Sequence, residues 1–123
     1  MTTAEIANDL VALCRMGRNM EAIDKHYAPS IVSVEAAAAP GMPAEMAGLD
    51  AIKKKNEYWM MNNQVHRGEA NGPFVGDGQF AVEFKYEITP KGSDQRRQMN
   101  EMAVYTVADG KIVHERFYYN AGA

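Results

Sequence analysis

The sequence is almost without cysteine, Cys14 being the only one in 123 residues. A lone thiol can form no intrachain disulfide and no cysteine-based zinc cage. Its place within a helical apolar pattern reads as a packed thiol rather than a nucleophile. Excess charge of one sign is also missing. The formal net charge is −3, and the basic clusters Lys53-Lys54-Lys55 and Arg96-Arg97 are too short to leave the electrostatic footprint that nucleic acid demands. Both read as solvated charge, with the lysine triplet on the outer side of a helix. The N-terminus has no basic region leading into an apolar core, so the expected location is the cytoplasm. No nucleophile, phosphate-binding or metal motif is present that would name a reaction.

What is present is ordinary globular chemistry. Hydrophobic residues make up 46% of the chain and charged residues 24%, which excludes disorder and fits one soluble domain over residues 1–123. Thr3 can cap a first helix in which Ile6, Leu10, Leu13 and Cys14 recur at spacings of three and four. Gly17 interrupts it. A short second helix is expected from Asn19 to about Tyr27, stopped by Pro29, and Ile31–Glu35 reads as a strand. Residues 36–47, with two prolines and a glycine, read as a long loop, either a mouth loop or lid or else a passive connection or dimer arm. A third helix is expected from about Leu49 to Asn62, with Leu49, Ile52, Asn56 and Trp59 or Met60 inward.

From Val65 onward the pattern is antiparallel sheet. Phe80, Val82, Phe84, Tyr86 and Ile88 alternate with Ala81, Glu83, Lys85 and Glu87, so one face is buried and the other polar. Helices followed by long antiparallel strands give the α+β class, with the helices on one face of a bent sheet.

The order of these elements, with Gly48-Leu-Asp-Ala-Ile-Lys opening the third helix and Asp109-Gly-Lys-Ile-Val-His-Glu-Arg-Phe-Tyr-Tyr119 closing the chain, resembles the SnoaL-like branch of the nuclear transport factor 2-like superfamily. The resemblance covers nearly the whole chain. It implies a cone-shaped, cystatin-like α+β fold whose curved sheet wraps an internal pocket, usually in a homodimer. That superfamily includes steroid isomerases, polyketide cyclases and dehydratases alongside non-catalytic binding modules, so fold alone does not give function.

Compared with the steroid isomerases, Glu35 falls where those enzymes carry a proton-shuttling aspartate, and a carboxylate desolvated in an apolar cleft can take that role. The isomerases' oxyanion pair has no counterpart, its positions falling near Leu10 and Ala103. A three-residue loop, Ala108-Asp109-Gly110, would set Ala103 opposite Glu115 and Glu101 opposite Phe117, putting both glutamates on the face of Tyr105 and Tyr119. A two-residue Asp109-Gly110 turn would flip one strand relative to the other. The resemblance favours the longer loop, because it requires Glu101 and Glu115 to share a face.

His66 corresponds to an inward position in the isomerases, where a histidine near carboxylates exchanges protons close to neutrality; a structural histidine at a strand start is the other reading. His26 and His114 carry no such expectation. The candidate catalytic residues are therefore Glu35, His66, Glu101 and Glu115, and the candidate substrate-binding residues are Trp59, Phe84, Tyr105, Phe117 and Tyr119. No metal site and no cofactor are expected. The function implied is acid–base catalysis, of isomerase, cyclase or dehydratase type, on a small and largely apolar carbonyl compound. The alternative is a non-catalytic module of the same fold for small-molecule binding or dimerisation. Enzyme action is the favoured reading, since buried carboxylates without basic partners are costly for stability alone. The expected partners are that ligand and a second copy of the chain, joined through the sheet face carrying Met102, Val104 and Thr106, with neither nucleic acid nor membrane.

Overall fold

A computed structural model describes residues 1–120. Helix α1 (Thr3–Arg15) begins one residue earlier than the sequence suggested, because Thr2 and not Thr3 is the cap. The Thr2 hydroxyl accepts the Glu5 amide at 3.1 Å and the Glu5 carboxylate accepts the Thr2 amide at 2.8 Å, satisfying two otherwise orphaned donors. At the other end, Gly17 has a φ of 72° and its amide bonds Cys14, while Arg18 bonds Leu13. This left-handed stop turns the chain directly into α2 (Asn19–His26).

The strands are β1 (Tyr27–Val34), β2 (Glu45–Ala47), β3 (Asn63–Val75), β4 (Gln79–Pro90), β5 (Arg97–Ala108) and β6 (Lys111–Tyr118), with α3 (Leu49–Asn62) between β2 and β3. They form one six-stranded sheet in the order β2-β1-β6-β5-β4-β3. The class is α+β as expected, but the sheet is mixed rather than wholly antiparallel. β1 runs parallel to β6, pairing Ser33 with Glu115. β1 also starts earlier than its apolar run suggested, at Tyr27. Pro29 is tolerated there because the β1–β6 register skips between Tyr27 and Val32, so no ladder donor is required of it. The long loop is shortened by β2, which pairs with Val32–Val34.

One face of the sheet is the core. Phe80, Val82 and Phe84 of β4 are buried, with Ala103 and Tyr105 of β5 and Ile112 of β6, against Ile6, Leu10 and Val11 of α1 and Ile52 of α3, while Ile88 is buried apart from this cluster. Phe80 and Tyr105 stack with ring centroids 4.7 Å apart. Glu83 and Lys85 alternate to the opposite face, as the period of two requires.

The β5–β6 hairpin departs from the expected register. Ala108 pairs with Lys111, so the turn has two residues, and both have positive φ, 52° at Asp109 and 74° at Gly110. That is the primed turn whose twist matches a hairpin. The flip it should cause is undone four residues later. Val107 pairs with Ile112 but Thr106 pairs with His114, leaving Val113 as a bulge residue. Glu115 therefore lies opposite Tyr105, and Ala103 opposite Phe117. Glu101 and Glu115 share a face after all, by a turn and a bulge instead of a longer loop.

Substituting Gly110→Ala should cost about 1–2 kcal/mol, because the left-handed conformation penalises a β-carbon. Urea unfolding monitored by circular dichroism would measure it, and an unchanged midpoint would contradict this turn geometry.

Candidate active site

The bulge at Val113 decides what enters the interior. In an unbroken strand, residues 112 and 115 would face opposite sides; here Ile112 and Glu115 are both buried, at 0% and 2% exposure. The Glu115 carboxylate then meets three groups from two elements, β1 and α3. The Tyr27 hydroxyl, at the start of β1, donates to its Oε2 in a short contact. The Ser33 hydroxyl, on the parallel neighbour strand, donates to Oε1 at 2.9 Å. The third is Lys55 of α3, whose Nζ lies 4.0 Å from the same oxygen.

Lys55 is the principal residue that the sequence reading misplaced. Expected on the outer side with Lys53 and Lys54, its side chain is only 15% exposed and reaches into the protein. Nζ donates to Ser33 Oγ at 2.6 Å, pairs with Glu35 Oε1 at 2.9 Å and sits 5.1 Å from the centre of the Phe117 ring. The buried carboxylates thus do have a basic partner. A signal existed, since position 55 lies three residues after Ile52 and four before Trp59, on the stripe of α3 that faces inward. Tyr27 and Ser33 were missed as well, although Ser33 shares its strand parity with Ile31 and Glu35.

These groups open into a cavity of about 710 Å³. Its lining includes Glu35, Glu101 and Glu115 together with Trp59, Phe84, Tyr105, Phe117 and Tyr119, and also His66. His66 lines the space without joining the carboxylates. Its Nε2 is 2.6 Å from Thr89 Oγ1 across the β3–β4 pair, and no ion pair links it to the three glutamates among the described residues. His26 is buried against Asp9 at 2.6 Å, and His114 pairs with Thr106 and Val32. Cys14 also borders the cavity, with its thiol pushed up to about 12 by burial, as expected of a packed thiol.

The electrostatics follow from desolvation in an apolar shell. Glu101, on β5 opposite Phe84, touches the cavity yet is enclosed by protein atoms, and burial, then Glu35 and Glu115, push it up to about 7. Its carboxylate makes no ion pair or side-chain hydrogen bond among the described residues. Glu115 is also raised by burial, an effect opposed by Lys55, Tyr27 and Ser33. Burial and then Glu115 hold the Tyr27 and Tyr105 hydroxyls far above the usual phenol value. Tyr119 is pushed up to about 12 by burial and then by the Glu35 carboxylate. All these tyrosines are neutral hydrogen-bond donors near neutrality.

With an α+β fold and a cavity of this composition, the comparisons point one way. The SnoaL-like domain family matches residues 1–119, and the chain belongs to that family. A crystal structure from Mesorhizobium loti, provisionally called a SnoaL-like polyketide cyclase with carbohydrate phosphatase as a second label, is 44% identical, with a TM-score of 0.91 over 97% of this chain and 100% of that one. An NTF2-like protein of Burkholderia thailandensis is 18% identical, with a TM-score of 0.83 over 98% of this chain and 92% of that one. A protein of Catenulispora acidiphila with a ketosteroid isomerase-like fold, in complex with trimethylamine, is 19% identical, with a TM-score of 0.74 over 98% and 88% of the two chains. The last two likenesses concern fold alone. No curated protein matches the sequence. No helix among the described residues is long and apolar enough to cross a membrane.

The Glu101 shift has a consequence for stability. Its value is about 7 in the fold against an ordinary 4.5, so between these values the folded state holds the extra proton and stability falls as pH rises. Glu101→Gln should therefore leave stability nearly unchanged near pH 4 and raise it by roughly 1–3 kcal/mol near pH 8. Urea unfolding at both pH values would measure this, and an equal effect at both would contradict the shift.

Proposed function

We propose that the cavity carries out cofactor-independent acid–base catalysis on a small, largely apolar carbonyl compound, moving a proton at the carbon beside the carbonyl. The observation that carries this reading is Glu101, a half-buried carboxyl on the cavity wall, without an ion pair or side-chain hydrogen bond among the described residues, and pushed up to about 7 by burial. Such a group is present in both forms at neutrality, so it can take a proton in one step and return it in the next. Removing the proton sends the electron pair of the C–H bond toward the carbonyl oxygen. The developing negative oxygen would be met by the Lys55 ammonium, with the neutral Tyr119 hydroxyl as a second donor. Glu35 holds Lys55 in place by the 2.9 Å ion pair, and Glu115 is its buried anchor. The flanking aromatic residues Trp59, Phe84 and Phe117 would receive the apolar body of the substrate. The provisional name of the Mesorhizobium loti relative is consistent with this chemistry.

A second reading has its own observation. Glu35, Lys55 and Glu115 are bonded to one another or to Ser33 and Tyr27, so most of the polar cluster is satisfied without a substrate, as a non-catalytic binding module would need. Deuterium exchange separates the two. A panel of cyclic and aryl ketones in D2O, followed by NMR, should show enzyme-dependent exchange beside the carbonyl. Its rate should rise with pH through about 7 and level off above, because the base must be ionised. Glu101→Gln should lower that rate by about 10²–10⁴-fold. Saturable binding across the panel with no exchange above buffer would favour the module and sink the catalytic reading.

The outer sheet face is proposed as a homodimer interface. Ala81 and Val104 pair across β4 and β5 there, and Arg116 of β6 separates Val104 from Val34 of β1, beside Met102 and Tyr118, with the Arg116 guanidinium 5.4 Å from the Tyr118 ring centre. Left uncovered, this mixed apolar stripe would meet water. Light scattering at micromolar concentration should give twice the chain mass, and Val104→Arg should halve it. A monomer mass for the unsubstituted protein would remove the proposal.

A further inference from the structure

The cavity is short of positive charge. Glu35, Glu101 and Glu115 all line it, and among the described residues Lys55 is the only lysine that does. Of the two lining arginines, Arg15 spends its guanidinium on the carbonyl oxygens of Ala70 and Gly72, at 2.9 and 3.3 Å, and Arg67 pairs with Glu69 in solvent. Lys55 already serves two carboxylates. Glu35 is its direct ion-pair partner at 2.9 Å, and Glu115, 4.0 Å from it, accepts a hydroxyl hydrogen at each oxygen. Glu101 is left over, enclosed and without an ion pair or side-chain hydrogen bond among the described residues.

The walls beside Glu101 are aromatic. Phe84 is its cross-strand neighbour on β4, and Tyr86 stacks against Phe84 with centroids 6.1 Å apart. Trp59 of α3 closes the corner, 5.4 Å from Tyr86 and tilted by 52°. Ring faces carry negative quadrupole charge and attract cations most strongly where water is excluded. The unpaired carboxylate and the aromatic corner are separate observations, one of charge and one of shape, and they select the same ligand chemistry.

We infer that this cavity takes an organic cation, a protonated or quaternary amine on an apolar body, held between Glu101 and the corner formed by Trp59, Tyr86 and Phe84. A neutral ligand would bury Glu101 further without compensating it. A cation supplies the missing charge while keeping apolar contact with the rings. The inference goes beyond the acid–base reading and stands with or without turnover; if both hold, the substrate is an amine-bearing carbonyl compound. The other titratable groups facing Glu101 are Glu35, Glu115 and Lys55, with the phenols of Tyr86, Tyr105 and Tyr119. All three phenols are raised by burial and stay neutral, so Glu101 itself is the group that ionises when the cation arrives.

The test compares choline with 3,3-dimethylbutan-1-ol, which has carbon in place of the charged nitrogen. Trp59 is the only tryptophan, so its fluorescence reports occupancy of the corner directly. Choline should bind at least about tenfold more tightly than the alcohol near pH 8. Its affinity should fall by about tenfold near pH 6, and calorimetry in buffers of different ionisation enthalpy should show proton release on binding. Glu101→Gln should remove both the advantage of the cation and its pH dependence while leaving the weak binding of the alcohol unchanged. Equal affinity for the two compounds, no detectable binding of choline, or full choline affinity in Glu101→Gln would each overturn the inference. Those results would leave the ketone-exchange experiment untouched, since that assay uses neutral compounds.

Discussion

A carboxylate at the centre of the molecule sets the terms for everything around it. Glu115 is 2% exposed, and an ionised group so far from water is tolerable only if its oxygens are bonded and its charge is opposed. Two elements answer that demand. The parallel strand β1 supplies Tyr27 at its start and Ser33 further along, and α3 supplies Lys55. The parallel β1–β6 pairing is thereby explained in functional terms, because it sets Ser33 beside Glu115 in register. Removing either hydroxyl leaves a buried carboxyl oxygen unbonded, and removing Lys55 leaves the buried charge unopposed.

Glu115 reaches that position through two local irregularities that cancel. The two-residue Asp109-Gly110 turn alone would carry Glu115 to the outer face, and the bulge at Val113 brings it back. Ile112 and Glu115 can then both be buried although an odd number of residues separates them from a common face. Downstream of the bulge, Phe117 and Tyr119 follow the same parity into the cavity. One extra residue in one strand thus determines whether the carboxylate and the aromatic wall meet.

Much of this was legible in the chain, and the failures have physical causes. The alternation in β4 and the periodicity of α1 reported the core correctly, because burial on one face imposes a strict period; in α3 Ile52 is buried as read, but Met60 is exposed and Lys55 turns inward. The shared face of Glu101 and Glu115 was read from the resemblance, whereas the turn and bulge producing it were not, since Val113 carries no residue-type signal for a bulge. Lys55 was hidden by its neighbours. A run of three lysines looks like solvated charge, and only the spacing to Ile52 and Trp59 distinguishes the inward one. His66 borders the cavity with its ring nitrogen held by Thr89, a partner that strand position alone could not reveal.

The same desolvation acts on Glu101 and Glu115, and their partners give it different outcomes. Glu115 has two hydroxyl donors and a nearby ammonium, all favouring its charged form against burial. These groups are themselves fixed by packing, so Glu115 has little freedom to exchange its proton and serves to hold Lys55 and the strands in place. Glu101 has Phe84 across from it and only a distant lysine to offset burial and two neighbouring carboxylates. Its charge is therefore set by whatever enters the cavity. The division of labour between an anchored carboxylate and a free one requires Lys55 to lie nearer Glu35 and Glu115 than Glu101, and this is why the position of one lysine on α3 governs the chemistry available across the sheet.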